Sequence, residues 1–362
     1  VPDVQGGSTQ HCTQSMIPNC TNARKIEHLN VLQQDEQIDR CKRYFERIHL
    51  RHRALPEVDF AAINTATTFL GKPVSFPLLI SSMTGGEHEL TERINRHLAL
   101  AAEATGVAMG VGSQRVMFTH PESRRSFAVR QYAPNALLFA NLGAVQLNYG
   151  FDLAHCRQAI DALAADALFL HLNPLQEVVQ PEGNTNFSGL AERIGQIAKV
   201  LKQPVVIKEV GAGLSHADVE QLLTHGLQYF DIAGSGGTSW SRLEHYRDDS
   251  TGGRTLGLTF QDWGIPTPVA LDQLSPLGNR VTLIASGGIR NGIDMVKALI
   301  LGGQLCGVAA PFVEPAMQSA DAVIRTIERL RLEFTTTMFL LGIAKISDLI
   351  GNRRLILDWP TV

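Results

Sequence analysis

The stretch His171-Leu172-Asn173-Pro174-Leu175-Gln176-Glu177 crowds an imidazole, two amides and a carboxylate together, with Gln180 and Glu182 close behind. Ahead of it stands Ala167-Leu168-Phe169-Leu170, a short apolar run of the kind that forms a buried strand. A core strand has no structural need to end in such a burst of polar side chains. These types hydrogen-bond polar ligands and handle protons. His171 and Asn173 are two apart and so share one face of an extended chain. Alone, His171 would read as a core histidine; beside Asn173, Gln176 and Glu177 it reads as part of a site.

A second kind of chemistry is signalled by glycine. Gly234-Ser235-Gly236-Gly237-Thr238 and Ser286-Gly287-Gly288-Ile289-Arg290 each follow an apolar run. Glycines let backbone N–H groups approach an anion closely, and a following helix N-terminus adds a favourable dipole. A cofactor phosphate held there would lay a flat ring over the centre of a barrel, with Lys208 of VVIKEV at the ring edge to neutralise charge. This outlines a flavin mononucleotide site. Each residue also has a plainer role: Asn141 could cap a turn, Lys208 could pair with a neighbouring Glu, and the glycines could simply turn the chain.

The elements that must position these groups repeat. FPLLIS (76–81), GVAMGV (106–111), ALLFAN (136–141), ALFLHL (167–172), PVVIKEV (204–210), YFDIAG (229–234), VTLIAS (281–286) and CGVAAP (306–311) are continuous apolar runs, each followed by a polar or Gly-rich turn. Parallel strands covered by helices read this way. The first four begin at intervals of about thirty residues, the length of one βα unit. Leu153, Cys156, Ile160 and Leu163 mark the apolar face of one intervening helix. Eight units predict a closed (β/α)8 TIM barrel rather than an open sheet, whose glycine fingerprint would come at the first turn. Residues 1–22 are expected to be a disordered leader, 23–75 an N-terminal helical cap with helices near 24–33 and 35–47, 76–345 the barrel, and 346–362 a tail ending in a small helix. Residues 314–341 are expected to form one long closing helix, and the charged stretch 241–257 a mobile loop over the active face.

Composition excludes several classes. The 362 residues are 44% hydrophobic and 19% charged, with a formal net charge of −3. No basic field exists to hold a nucleic acid, and no apolar run is long enough to span a membrane. Cys12, Cys20, Cys41, Cys156 and Cys306 are scattered without metal-binding or disulfide-framework spacing, which suits reduced thiols in the cytoplasm.

NARKIEHL (22–29), SSMTGG (81–86), MGVGSQR (109–115), NLGA (141–144), HLNPLQEVVQPEG (171–183), VIKEVGAG (206–213), DIAGSGGTSW (231–240) and ASGGIRNG (285–292) together resemble the FMN-dependent type 2 isopentenyl diphosphate isomerases over residues 22–345. The resemblance implies that FMN is held by Ser82, Met83, Thr84, Ser113, Asn141, Lys208, Thr238, Gly288, Arg290, Ala309 and Ala310. It implies that the substrate diphosphate meets Arg24, Lys25, Ser113, Gln114 and Arg115, with His171, Asn173 and Gln176 lining the pocket. Glu177 would bind Mg²⁺, a hard cation suited to one carboxylate plus diphosphate oxygens and waters. The implied reaction is a 1,3-allylic proton shift in which reduced FMN is the acid–base catalyst and NADPH the reductant. Gln176 would position the substrate rather than act as a base, and Glu244 in the mobile loop would exchange protons with solvent. Homotetramers or octamers are the implied assembly; for Arg24 and Lys25 to reach the diphosphate, the cap helix must fold across the barrel mouth or come from a neighbouring subunit.

The rivals fit less well. A 2-hydroxy-acid oxidase needs a His-Gly-Gly turn, whereas Gly236-Gly237-Thr238 has no adjacent His. An inosinate dehydrogenase needs a nucleophilic Cys after strand six, and none lies between Cys156 and Cys306. A non-catalytic flavin-binding barrel would not need Gln176, Glu177 and Arg115 together.

Overall fold

A computed structural model of the chain describes residues 31, 35–40, 44–246 and 255–359. The expected apolar runs become eight parallel strands: β1 (Leu78–Ile80), β2 (Ala108–Gly110), β3 (Leu138–Gly143), β4 (Ala167–Leu172), β5 (Val205–Glu209), β6 (Tyr229–Asp231), β7 (Thr282–Ser286) and β8 (Leu305–Val308). Each pairs with the next and β8 returns to β1, closing the barrel. The runs are continuously apolar because both faces are covered. Leu78, Ile80, Leu138, Ala140, Leu168 and Leu170 pack outward against the helices. Leu79, Phe139, Phe169, Val206, Ile284 and Leu305 point inward and pack on one another.

The inward cluster also takes in Phe69 and Val74 of an antiparallel hairpin, Thr67–Phe69 with Lys72–Val74. Leu70 and Gly71, the two residues between its strands, both have positive φ (50° and 76°), the conformation of a tight hairpin turn whose twist matches the strands. The hairpin therefore plugs the barrel end where the strands begin.

Three expectations about the periphery are corrected. The helix expected over 35–47 is two 3-10 turns, Glu36–Ile38 and Tyr44–Arg47, because the intervening backbone pairs elsewhere. Asp39 bridges Thr238 antiparallel, and Arg40 N donates to Gly237 O at 3.2 Å. The single closing helix is two, Ala310–Gln318 and Ala320–Leu341. Extended Ser319 (φ −168°, ψ 165°) breaks the chain between them and caps the second by accepting Ala322 N at 3.1 Å. The tail holds 3-10 turns and a strand, Ile356–Asp358, drawn out of helix by pairing with His49–Leu50. The helix expected over 24–33 and the leader lie outside the described residues, apart from Val31.

Among the described residues no helix is long and apolar enough to cross a membrane. Cys156 and Cys306 are free and buried.

Candidate active site

Half-way up the barrel the inward positions turn polar. Two residues beyond Val206 on β5, Lys208 sits with its Nζ 5.7 Å from the centroid of the Phe169 ring. Its partner is not the adjacent Glu209 but Asp231 on β6, whose Oδ2 accepts from Nζ at 2.7 Å. The Ser286 hydroxyl on β7 donates to the other Asp231 oxygen, and Ser286 Oγ accepts Ala233 N at 3.1 Å. Both charges are nearly fully buried, so each depends on the other. An ammonium has three donors, and Asp231 leaves capacity on Lys208 for a ligand.

On the opposite wall, Asn141 Nδ2 donates to Val111 O at 3.1 Å, which fixes the amide's orientation. Its Oδ1 can only accept, so the 2.7 Å contact with His171 Nδ1 puts the proton on that nitrogen. The side chain of Gln114 is turned to the fold instead. Its Oε1 accepts Asn141 N at 2.9 Å and its Nε2 donates to Ala159 O at 2.8 Å. Fully buried, it ties β3 to the outer helix Leu153–Leu163 and turns away from the cavity.

The two glycine turns lock backbone to backbone. Gly287 has φ +98°, and a Cβ there would fall 2.2 Å from Gly234 O. Only glycine permits that approach. Asn291 then caps the helix Gly292–Ile300, its side chain accepting Asp294 N at 2.8 Å.

β4 leads into a short helix, Pro174–Val179. Asn173 Nδ2 donates to Gln176 Oε1 at 3.1 Å and to Glu177 Oε1 at 3.0 Å. Asn184 N donates to Glu177 Oε2. Gly183 is obligatory in this turn, since a Cβ would lie 1.6 Å from Glu177 O. Gln176 Nε2 donates to Glu244 Oε1 at 2.7 Å. Glu244 is thus corrected from a loop residue to a fully buried one on the helix Trp240–His245. Residues 247–254 of the expected mobile loop lie outside the described residues, as do Arg24 and Lys25.

One cavity of about 200 Å³ joins these walls. Ser82, Met83, Thr84, Ser113, Asn141, Lys208, Thr238, Gly288, Arg290, Ala309 and Ala310 all line it, as do Arg115, His171, Asn173, Gln176 and Glu177. Of the sequence-derived residues inside the described region, only Gln114 and Glu244 are not in its wall. The Arg290 guanidinium pairs with Asp39, Nε to Oδ2 at 3.1 Å.

Sequence reasoning missed Asp231 and the bond it accepts from Ser286, and gave no role to Gln146, Gln180 or Trp240 of the cavity wall. An acidic residue inside the apolar run YFDI was the available signal for Asp231. Beside Lys208, burial pushes the Glu209 carboxyl above the usual carboxylate range, although the amides of 210–213 turn in to donate to it.

The cavity's own hydrogen bonding is incomplete. Ser81 Oγ, Ser82 Oγ, Thr84 Oγ1, Asn173 Oδ1 and Gln180 Nε2 are buried without a partner. Such atoms are rare in folded proteins and call for a polar ligand or ordered water to complete them. Together with the glycine cradle they fit a phosphorylated ring cofactor. Among the described residues no group of three or more His, Cys, Asp and Glu side chains could form a metal cage.

An eight-stranded barrel with hydroxyls on its first rim and glycine turns on its sixth and seventh defines a class, the FMN-dependent barrel enzymes. The sequence profile described as FMN-dependent dehydrogenase matches residues 22–120 and 171–356. Solved structures similar in fold include a flavocytochrome b2 variant with sulfite bound (TM-score 0.64, 20% identity, 88% of this chain and 78% of that one). A mandelate oxidase variant with a monooxide FMN adduct is another (TM-score 0.58, 16% identity, 92% and 91%).

Closer relatives narrow the class. The isopentenyl-diphosphate delta-isomerase of Paracoccus zeaxanthinifaciens is 56% identical over 92% of this chain and 96% of its own length. That of Hydrogenovibrio crunogenus is 53% identical over 92% and 97%. The chain belongs to the isopentenyl-diphosphate delta-isomerase family, in its FMN-dependent type 2 form.

Proposed function

We propose that this protein interconverts isopentenyl and dimethylallyl diphosphate by a 1,3-allylic proton shift, with FMN, reduced by NADPH, in the cavity and Mg²⁺ on the diphosphate. The observation that carries the reading is the set of unpartnered buried hydroxyls of Ser81, Ser82 and Thr84 in one cavity with Glu177 and the glycine turns. Ser82, Met83, Thr84, Asn141 and Lys208 would hold the flavin ring and its edge. Thr238, Gly288, Arg290, Ala309 and Ala310 would hold its phosphate.

Reduced FMN supplies a protonatable nitrogen and an electron-rich face that tolerates a tertiary cation. The chain's residues do the rest. Arg115 and Ser113 clamp the diphosphate, with Arg24 and Lys25 contributed from the N-terminal segment. Glu177 has one donor on each oxygen, which leaves lone pairs for a cation whose other ligands are diphosphate oxygens and waters. His171, with its proton on Nδ1, and Asn173 orient the substrate from the strand end. Gln176, a poor base, positions the hydrocarbon and is itself held by its bond to Glu244, whose carboxyl would hold or give up the exchanged proton. Because Glu244 is fully buried, the expected exchange with solvent would need the site to open rather than an exposed loop position. Homotetramers or octamers of this chain are the proposed assembly.

The test is anaerobic incubation with FMN, NADPH, Mg²⁺ and isopentenyl diphosphate, reading the allylic isomer by NMR. Turnover without flavin, or no isomer with every component present, overturns the reading. Glu177→Gln should raise the Mg²⁺ concentration needed for half-maximal rate, and an unchanged requirement removes the metal assignment.

A further inference from the structure

The helix that carries Glu244, Trp240–His245, has only six residues. Helices that short do not hold themselves together in water, so outside contacts must set where Glu244 stands. Some come from the fully buried Leu243 and from the Ser241 hydroxyl, which donates to Gly257 O at 2.6 Å, but the charged ones are made by Arg242. Its Nε lies 2.5 Å from Asp35 Oδ2, and both side chains are largely buried (12% and 14% exposed). Its Nη1 donates to Gln261 Oε1 at 2.6 Å, and its Nη2 to Tyr246 OH at 3.4 Å. Arg242 and Glu244 are two residues apart and project from nearly opposite sides of the helix. One side is pulled to Asp35, and the other meets Gln176.

The segment bearing Asp35 is itself anchored. Ile38 is fully buried, Ser239 N donates to Ile38 O at 2.8 Å, and Arg40 Nη1 donates to Gly211 O at 3.0 Å. Ser239 starts the helix and also donates from its hydroxyl to Gln261 O at 2.7 Å. Residues 35–40 therefore cross the barrel mouth as a strap, and Arg242 joins the strap to both legs of the connection between β6 and β7. The pair is charged on both sides. The Asp35 carboxyl is lowered because hydrogen bonds from Arg242 and Tyr246 outweigh the upward push of burial, and Arg242 is raised chiefly by its bond to Asp35.

We propose that Arg242 and Asp35 are positioning residues for Glu244: their ion pair sets the helix so that the Glu244 carboxylate meets the Gln176 amide. The inference rests on the isomerase reading for its kinetic consequence but not for its structural one. Neither residue touches the cavity.

The experiment uses FMN-loaded full-length protein with Arg242→Ala and Asp35→Asn, each in the native and the Glu244→Gln background. In the native background Arg242→Ala should lower kcat about tenfold with KM changed less than about twofold, the size expected when a reacting group is displaced by a fraction of an ångström. In the Glu244→Gln background the same change should cost less than about twofold, because two residues acting through one contact are not additive. Arg242→Lys, which keeps the charge but not the three-way bridge, should recover part of the loss. Equal losses in both backgrounds, or no loss in the native one, overturn the proposal.

Should Arg242→Ala fail to fold, Asp35→Asn carries the same comparison, since it leaves Arg242's own bonds to Gln261 and Tyr246 in place. Hydrogen exchange gives an answer independent of activity: amides of 240–246 should exchange faster in Asp35→Asn while those of 167–172 do not change. Unchanged exchange at 240–246 overturns the proposal, whereas a wild-type protein that makes no isomer overturns only the isomerase reading.

Discussion

The lower and upper halves of the barrel interior are built on the same strands and the same alternating positions, yet they do opposite work. Below, Phe139 and Phe169 stack with centroids 4.6 Å apart and planes at 18°, and the hairpin's Phe69 packs beneath them. Leu79, Phe139, Phe169, Val206, Ile284 and Leu305 there are apolar and fully buried against one another. Above, two residues further along each strand, Asn141, His171, Lys208, Asp231 and Ser286 satisfy one another in part, while the rim hydroxyls of Ser81, Ser82 and Thr84 are left open. The difference teaches that stability and binding capacity are separated by one step along the strands.

That division can be broken by substitution. Phe139→Ala should cost about 3–5 kcal/mol of stability, measured by urea unfolding, while folded protein keeps its FMN affinity. A lost flavin site at full stability would show that the lower half is not mere support. Lys208→Met tests the boundary, because it leaves Asp231 buried without its counter-charge. It should lower stability by about 3 kcal/mol and weaken FMN retention as well, read by the same unfolding curve and by flavin fluorescence after gel filtration.

The upper half should show the reverse sign elsewhere. Ser82→Ala removes a buried hydroxyl that has no partner, so flavin-free protein should be as stable or up to about 1 kcal/mol more stable, while FMN binds more weakly. A destabilised apoprotein would mean that Ser82 serves the fold. Smallest in effect is Cys156, behind β3 and β4, whose thiol burial pushes up to about 12. It forms almost no thiolate at pH 8 and should resist iodoacetamide until denaturant is added; prompt labelling of native protein would show that the outer layer opens.

The barrel was legible because wall strands covered on both faces leave continuous apolar runs, and strand ends are where side chains must turn polar. For that reason Lys208, Asn141 and the 171–177 stretch stood out. What stayed hidden depends on partners distant in sequence. Gln114 looks like a ligand contact beside Arg115, and only the fold shows it spent on Asn141 N and Ala159 O. Asp231 vanished into an apolar run because its charge is answered by Lys208 from the neighbouring strand. Residues 35–40 carried helical spacing, but their backbone is claimed by 237–239 across the mouth. Glu244 looked loop-borne because a six-residue helix held by tertiary contacts leaves little local signature.

The hairpin plug has a consequence for traffic. With Phe69 and Val74 packed into the far end, the described residues make the barrel a blind well rather than a tunnel, so reactant and product share its open mouth. Departure must precede the next arrival, and accumulating product competes directly with incoming reactant for the same space.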